Sequence, residues 1–94
     1  MDHTPSAELL ESTHSFPGVY QIKAIGRHAD GFELRIVEAV VAELAGPSEL
    51  DYSIRNTPGG RHVAVTLDVT VQTAEQVRSI YARIRAVEGL ILVL

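Results

Sequence analysis

The sequence predicts an α+β fold, a ferredoxin-like βαββαβ sandwich in which a four-stranded antiparallel sheet carries two helices on one face. Three observations predict it. Four short stretches have the pattern of strands, and two longer stretches repeat apolar residues every three or four positions, as amphipathic helices do. These stretches follow one another in the order β-α-β-β-α-β. In this topology the strands lie in the order 4-1-3-2, and every neighbouring pair is antiparallel.

A single domain accounts for the ordered part of the chain. Residues 16–94 contain no linker and no low-complexity stretch, so we expect them to form one ferredoxin-like domain. Residues 1–15 are polar, and we expect a flexible segment there. Within it, Pro5 to Glu11 has the pattern of a short helix behind a Thr4 cap.

The first strand and the first helix have clear patterns. Val19 to Gly26 alternates as a strand, with Tyr20, Ile22 and Ala24 on one face. Asp30 and Glu33 then form a capping-box-like opening for a helix, which Gly46-Pro47 ends. The apolar stripe of that helix consists of Phe32, Ile36, Val40 and Leu44, widened by Val37 and Val41.

The next two strands are joined by Asn56-Thr57-Pro58-Gly59-Gly60. Paired glycines beside arginines can form a phosphate-binding loop, but such a loop leads from a strand into a helix, and here a second strand follows. We therefore predict a hairpin turn. The apolar alternation is Leu50, Tyr52 and Ile54 before the turn, and Val63, Val65, Leu67, Val69 and Val71 after it.

The second helix and the last strand complete the pattern. Thr73 and Gln76 form a capping box for a helix that Gly89 ends, and Leu90 to Leu94 is an apolar final strand. The helical stripe consists of Val77, Ile80, Tyr81, Ile84 and Val87. Core packing is the expected role of all three tyrosines, Tyr20, Tyr52 and Tyr81.

Composition excludes several classes of function. With 8 Lys and Arg against 12 Asp and Glu, the chain has a net charge of −4, whereas nucleic-acid binders usually carry a basic stripe. There is no cysteine, so disulfides and thiolate chemistry are excluded. No apolar run has the length of a signal peptide or a membrane span. We therefore expect a cytoplasmic protein that binds neither nucleic acid nor membrane.

A basic cluster is predicted at one end of the sheet. In the 4-1-3-2 order the end of strand 1 lies beside the start of strand 3, and the end of strand 2 lies close by. This arrangement gathers five residues that could bind an anion together with the N-terminus of the first helix: Arg27, His28, Arg55, Arg61 and His62. The alternative is that these are solvated surface charges, partly neutralised by Asp30 and Glu88.

Metal binding and catalysis have little support in the sequence. His3 and His14 lie in the N-terminal segment, and no third ligand is evident for His28 and His62. The carboxylates that could form an acid–base pair, Asp51 and Asp68, lie on outward faces, where cross-strand pairs with Lys23 or Arg55 are the simpler expectation. We predict no enzyme activity, no catalytic residues and no cofactor.

Several short motifs, read in order, resemble one family. They are Phe16-Pro17-x-x-Tyr20-x-Ile22-Lys23-x-x-Gly26, Val63-x-Val65-Thr66-Leu67, Glu75-Gln76-Val77-x-x-Ile80-Tyr81 and Leu92-Val93-Leu94. Together they resemble the YbeD-like family of small bacterial proteins, over residues 16–94. The resemblance implies the βαββαβ fold and a similarity to ACT regulatory domains, which bind small effectors at subunit interfaces. It supplies no catalytic residues.

The predicted function is that of a non-enzymatic regulatory or adaptor protein, which binds a protein partner or a small effector in an ACT-like manner. The alternative is a small-anion-binding protein that uses the basic cluster. We also expect a homodimer, because the last strand is apolar on both faces and lies at a sheet edge. The predicted interface consists of Val19, Ile25, Leu90, Ile91, Leu92, Val93 and Leu94. The alternative is that the N-terminal segment, through Leu9 and Leu10, covers this surface within one subunit.

Overall fold

The computed structural model describes residues 4–94, which fold into three α-helices and a four-stranded antiparallel sheet. The α+β class predicted from the sequence is confirmed. The strands are β1 (Gly18–Arg27), β2 (Leu50–Asn56), β3 (His62–Val71) and β4 (Leu90–Val93). The helices are α1 (Ala7–Thr13), α2 (Phe32–Val41) and α3 (Ala74–Arg85), and a short 3₁₀ helix (Pro47–Glu49) precedes β2.

The strands lie in the order β2-β3-β1-β4, and all three pairings are antiparallel. Counted from the β4 edge, this is the order 4-1-3-2. The central pair, β1 and β3, matches residue for residue from Gly18 opposite Val71 to Arg27 opposite His62. The β2 and β4 strands form the two edges, and the β1–β4 pairing shifts its register between Ile25 and Gly26.

The core lies between one face of the sheet and the two helices α2 and α3. Every second residue of β3 is buried, as the alternation predicted, and the apolar stripes of both helices pack on the same face. The largest fully buried side chains are those of Leu10, Ile22, Phe32, Ile36, Leu67, Ile80 and Ile84. The other face of the sheet has no layer over it among residues 4–94.

Of the N-caps predicted for α2 and α3, that of α3 is confirmed and that of α2 is wrong. The Thr73 hydroxyl accepts a hydrogen bond from the backbone N–H of Gln76 (3.1 Å), which makes it the N-cap of α3. Before α2, however, Asp30 has a left-handed backbone (φ 57°), and the N-cap is Gly31, which has no side chain to accept a bond. With that backbone Asp30 precedes the cap position, so the predicted capping box does not form.

The N-terminal helix α1 packs mainly against α3. Its N-cap is Ser6 rather than Thr4, since the Ser6 hydroxyl accepts from the N–H of Leu9 (3.2 Å). Leu10 is 1% exposed within the core, whereas Leu9 is 53% exposed. The helix therefore lies beside the helical layer and does not cover the outward face of β4.

The predicted hairpin turn between β2 and β3 is confirmed. Gly59 and Gly60 both have positive φ angles (89° and 71°), which favour glycine, and the N–H of Gly60 donates to the carbonyl of Thr57 (2.9 Å). No helix follows the turn, so its N–H groups do not join a helix N-terminus.

The β2 strand departs from the expected burial. Tyr52 and Ile54 point to the helical side, because they lie opposite the buried Leu67 and Val65 of β3, yet they are 47% and 44% exposed. The helices do not extend over this edge of the sheet. Tyr52 is therefore not a core residue, whereas Tyr20 and Tyr81 are. Among residues 4–94, no helix has the length and hydropathy needed to cross a bilayer.

Candidate functional site

The structure brings the predicted basic cluster together along the strand ends. Arg27 lies opposite His62 in the β1–β3 pairing, and the N–H of His28 donates to the carbonyl of Arg61 (3.0 Å). Arg55 of β2 lies opposite Ala64, which is two residues after His62 on β3 and on the same face of the sheet. The strand register therefore places all five residues at one end of the sheet.

These residues do not all point the same way. Arg27, Arg55 and His62 lie on the open face of the sheet, since they alternate with the buried positions of their strands. His28 lies beyond the end of β1, where its Nδ1 lies 3.1 Å from the carbonyl oxygen of Gly60 and donates to it. Arg61 is an exposed residue of the turn. An anion bound on the open face would therefore contact Arg27, Arg55 and His62 before the other two.

One arginine near this end was missed by sequence reasoning. The Arg35 guanidinium donates to the carbonyls of Asp30 and Glu88, the latter at 3.0 Å, and so ties the start of α2 to the segment that follows α3. It places a cation at the start of α2. The only sequence signal was its position on the flank of an apolar stripe, which many surface arginines share.

The histidines do not form a metal site with acidic residues in the described part of the chain. No group of three or more His, Asp or Glu side chains gathers among residues 4–94. The ring of His14 packs against that of Tyr20 with centroids 4.8 Å apart, and His28 is bonded to the hairpin turn. His3 lies outside the described residues.

The outward carboxylates are arranged differently from the expectation. Asp51 lies directly opposite Asp68, so two like charges face each other across β2 and β3. Asp68 accepts a hydrogen bond from the side-chain amide of Gln21 (3.0 Å). The ion pair found among residues 4–94 joins Arg83 of α3 to Glu43 (2.6 Å), not these aspartates to Lys23 or Arg55.

A pair of buried tyrosines lies where β1 meets α3. The hydroxyls of Tyr20 and Tyr81 are 3.3 Å apart and share a hydrogen bond, and the two rings meet edge to face. Burial raises the pKa of Tyr81 well above its ordinary value, and the hydrogen bond and charge interaction with Tyr20 add to the rise. The Tyr81 hydroxyl therefore keeps its proton at physiological pH and can take part in the hydrogen bond with Tyr20.

The predicted apolar interface on β4 is narrower than the sequence indicated. Val93 is fully buried in the core and Leu90 packs against it, so neither is on the outward surface. Leu92 lies opposite Ile25 on the open face, and Ile91 and Leu94 are 46% and 53% exposed. Among the described residues, α1 does not cover this face.

Val19 is remote from that group. It is 68% exposed, but it lies opposite Thr70, six residues before Ile25 and about 20 Å away along β1. The β4 strand pairs only with the other end of β1, from Ala24 to Gly26. The apolar edge therefore consists of Ile25, Ile91, Leu92 and Leu94. No ligand-sized cavity is present among residues 4–94.

Comparison with known proteins places the chain in a family. Residues 11–94 match the model of the DUF493 family, which is described as a protein family of unknown function. The chain belongs to the DUF493 family. The YbeD-like resemblance read from the sequence motifs is thereby confirmed, and the DUF493 match covers both edges of the sheet and the basic cluster.

Relatives of this DUF493 chain occur in several bacteria under the name UPF0250 protein. The relative from Shewanella woodyi is 35% identical and that from Shewanella piezotolerans 34%, each over 87% of this chain and 86% of the relative. The relative from Chromobacterium violaceum is 33% identical over 70% of this chain and 74% of its own length. No solved structure matches the chain.

Proposed function

We propose that this protein is a non-enzymatic regulatory or adaptor module, which acts by binding a protein partner or a small effector in the manner of an ACT domain. The proposal follows the ferredoxin-like arrangement of its strands and helices, in which both sheet edges are open among the described residues. The cytoplasmic location expected from the sequence remains a prediction.

The observation that carries the proposal is the apolar edge formed by Ile25, Ile91, Leu92 and Leu94. Ile91 and Leu94 are about half exposed, and the outer side of β4 has no neighbouring strand in the described chain. Exposed apolar side chains beside unpaired backbone donors and acceptors favour association with another polypeptide. A partner that adds a strand to this edge would bury the apolar side chains and pair with the free backbone groups.

A binding experiment with paired variants tests this proposal. The purified protein is immobilised, and partners retained from an extract of its native host are identified and then remade in pure form. We expect Leu92→Lys to abolish binding of the pure partner, because a charge would face the apolar contact. Val19→Lys changes an equally apolar, more exposed residue of the same sheet face and should leave binding unchanged. Equal binding by both variants and the unmodified protein would contradict the proposal.

A second candidate function is anion binding at the basic end. The observation that favours it is the shared open face of Arg27, Arg55 and His62, since the register brings them together at one end of an acidic protein. The N-terminus of α2, at Gly31, lies at the same end of the sheet but on the side of the helices, and its partial positive charge adds to the charge of the arginines.

A phosphate titration followed by amide NMR tests this second function. We expect the amide resonances of Gly31 and Arg61 to shift together, and Arg27→Ala to remove the response. Arg78→Ala, an exposed arginine of α3, serves as the matched control and should respond as the unmodified protein does. Small shifts spread evenly over the surface would show that the charges are only solvated.

A further inference from the structure

The second edge of the sheet, β2, lacks several of the features that protect an edge strand. It is seven residues long and pairs with β3 without a break in register, and it contains neither proline nor lysine. By contrast, β4 has four residues and a register shift in its pairing. Long, flat, unprotected edges are uncommon in monomeric proteins because they pair with other chains.

An apolar surface adjoins this edge on the helical side. Tyr52 and Ile54 are about half exposed there, although their neighbours on β3 are fully buried. Val37 and Val41 of α2 lie on the adjoining flank of the helix. Arg35, on the opposite flank of α2, donates to the carbonyl of Glu88 just after α3, and Glu43, two residues beyond α2, pairs with Arg83 of α3. The flank with the valines therefore faces β2.

The sequence of β2 is complementary to itself when two copies run antiparallel. With Ser53 opposite Ser53 of the second copy, Asp51 faces Arg55 and Tyr52 faces Ile54, and the same pairs repeat across the two-fold axis. The two ion pairs lie on the open face of the sheet. The two apolar pairs lie on the helical side, beside Val37 and Val41. Opposite charges and aromatic–β-branched pairs are the favourable cross-strand neighbours.

The hydrogen-bonding pattern of β2 fits the same register. At the hairpin end, the N–H of Thr57 donates to the carbonyl of His62, so the hydrogen-bonded pairs with β3 fall at every second residue of β2: Arg55, Ser53 and Asp51. The N–H and C=O groups of Tyr52 and Ile54 therefore point to the free edge. These two residues face each other in the Ser53-centred register and can exchange both bonds.

We propose that the protein forms a two-fold dimer through β2, in which the β2 strands of two copies pair antiparallel about Ser53 and create an eight-stranded sheet. The helices of the two copies leave room for this pairing. The two β3 strands would lie about 14 Å apart, three strand spacings, and this separation exceeds the width of a helix, about 10–12 Å. This dimer does not depend on the partner site proposed at β4, which stays free at both ends of the enlarged sheet.

A single-cysteine experiment tests the register directly, because the chain has no cysteine of its own. In a non-hydrogen-bonded antiparallel pair the Cα atoms are about 4.5 Å apart, within the range of a disulfide. Ser53→Cys should therefore form a disulfide-linked dimer under mild oxidation. Asp51→Cys is the matched control on the same strand and face, and its two copies would lie about 13 Å apart.

We expect Ser53→Cys to crosslink about tenfold or more faster than Asp51→Cys, since pairing raises the effective concentration of the two thiols. Equal rates for the two variants, or no crosslinked dimer from Ser53→Cys, would overturn the proposed register. Both substitutions are at exposed positions, so neither removes a core contact.

Light scattering and a charge exchange test the dimer independently. The unmodified protein should have a mass near twice 10.2 kDa at micromolar concentration, and Ile54→Lys should return it to 10.2 kDa.

Asp51→Arg or Arg55→Asp alone should weaken the dimer by about tenfold, because each creates two like-charge pairs, and the two together should restore it. A monomeric unmodified protein, or a dimer that dissociates with Leu92→Lys but persists with Ile54→Lys, would show that β2 is not the interface.

Discussion

At the scale of single residues, Gly26 shows how closely the sheet and helix layers approach. It lies on the buried face of β1, between Val63 of β3 and Leu90 of β4, and the ring of Phe32 occupies the space over it. A Cβ atom at this position would overlap three atoms of the ring. The absence of a side chain at residue 26 therefore allows Phe32 to enter the core.

Replacing Gly26 by alanine should destabilise the fold. Either the ring or the strand must move, and overpacking of this kind costs about 1–3 kcal/mol. Chemical denaturation of Gly26→Ala measures the loss in free energy of unfolding. The control is Gly46→Ala, where the backbone is extended (φ −177°) and a Cβ would meet no atom within 4 Å, so stability should change little. Equal stability of the two variants would contradict the packing argument.

The Tyr20–Tyr81 pair leads to a second prediction at this scale. Tyr81→Phe removes one hydroxyl of a buried hydrogen bond and should cost about 0.5–1.5 kcal/mol at neutral pH. Tyr52→Phe, at an exposed position without a hydrogen bond to its hydroxyl in the described chain, should cost almost nothing.

The same pair predicts that the stability of the fold decreases at alkaline pH. Tyr81 has a raised pKa in the folded state, so above its ordinary value of about 10 the unfolded chain loses the proton while the folded protein keeps it. The contribution of Tyr81 to the free energy of unfolding is complete below about pH 10 and declines as the pH rises above that value. The unmodified protein should therefore lose stability with pH more steeply than Tyr81→Phe. Parallel curves for the two proteins would contradict this assignment.

At the scale of secondary structure elements, the β2–β3 hairpin contains an unfavourable pair. Asp51 and Asp68 lie directly opposite each other on the open face, and like charges in this position destabilise a sheet. Asp68 is partly compensated by the amide of Gln21. In the dimer proposed above, Asp51 is compensated in turn by Arg55 of the other copy. The carboxylate that weakens the monomer would then stabilise the assembly.

Asp68→Asn should stabilise the hairpin by about 0.2–1 kcal/mol, because it removes the repulsion and keeps an oxygen that accepts from Gln21. The gain should shrink in high salt, which screens exposed charges. Thermal unfolding at low and high ionic strength measures both effects. Asp68→Ala is the control for the hydrogen bond, since it removes the charge and the acceptor together. A loss of stability in Asp68→Asn at low salt would show that the repulsion is negligible.

At the scale of the whole molecule, the N-terminal helix is joined to the domain through one buried side chain. Leu10 lies in the same core cluster as the apolar stripe of α3, and Leu9 beside it faces solvent. Leu10→Ala should destabilise the entire domain by about 2–5 kcal/mol, because it leaves a cavity in the core. Leu9→Ala should change the free energy of unfolding by less than about 0.5 kcal/mol. If the two variants are equally stable, α1 does not contribute to the core.

The local patterns of the sequence determined much of the fold and part of the candidate site. Period-two alternation defined β1 and β3, the four-residue stripes defined α2 and α3, and Thr73 marked the start of α3. Because the topology follows from the order of these elements, the sequence also placed Arg27 beside His62. Each of these features depends on residues within one element or on the pairing of two strands.

Only the tertiary structure decided which of these faces are covered. The sequence could not distinguish Tyr52 from Tyr20, since both alternate as inward residues, yet the helices cover the middle of the sheet and leave β2 open. It could not show that Val93 is buried or that α1 packs on α3, because both depend on where a helix lies over the sheet. Strand alternation fixes the direction of a side chain, whereas its burial depends on atoms from elements far away in the chain.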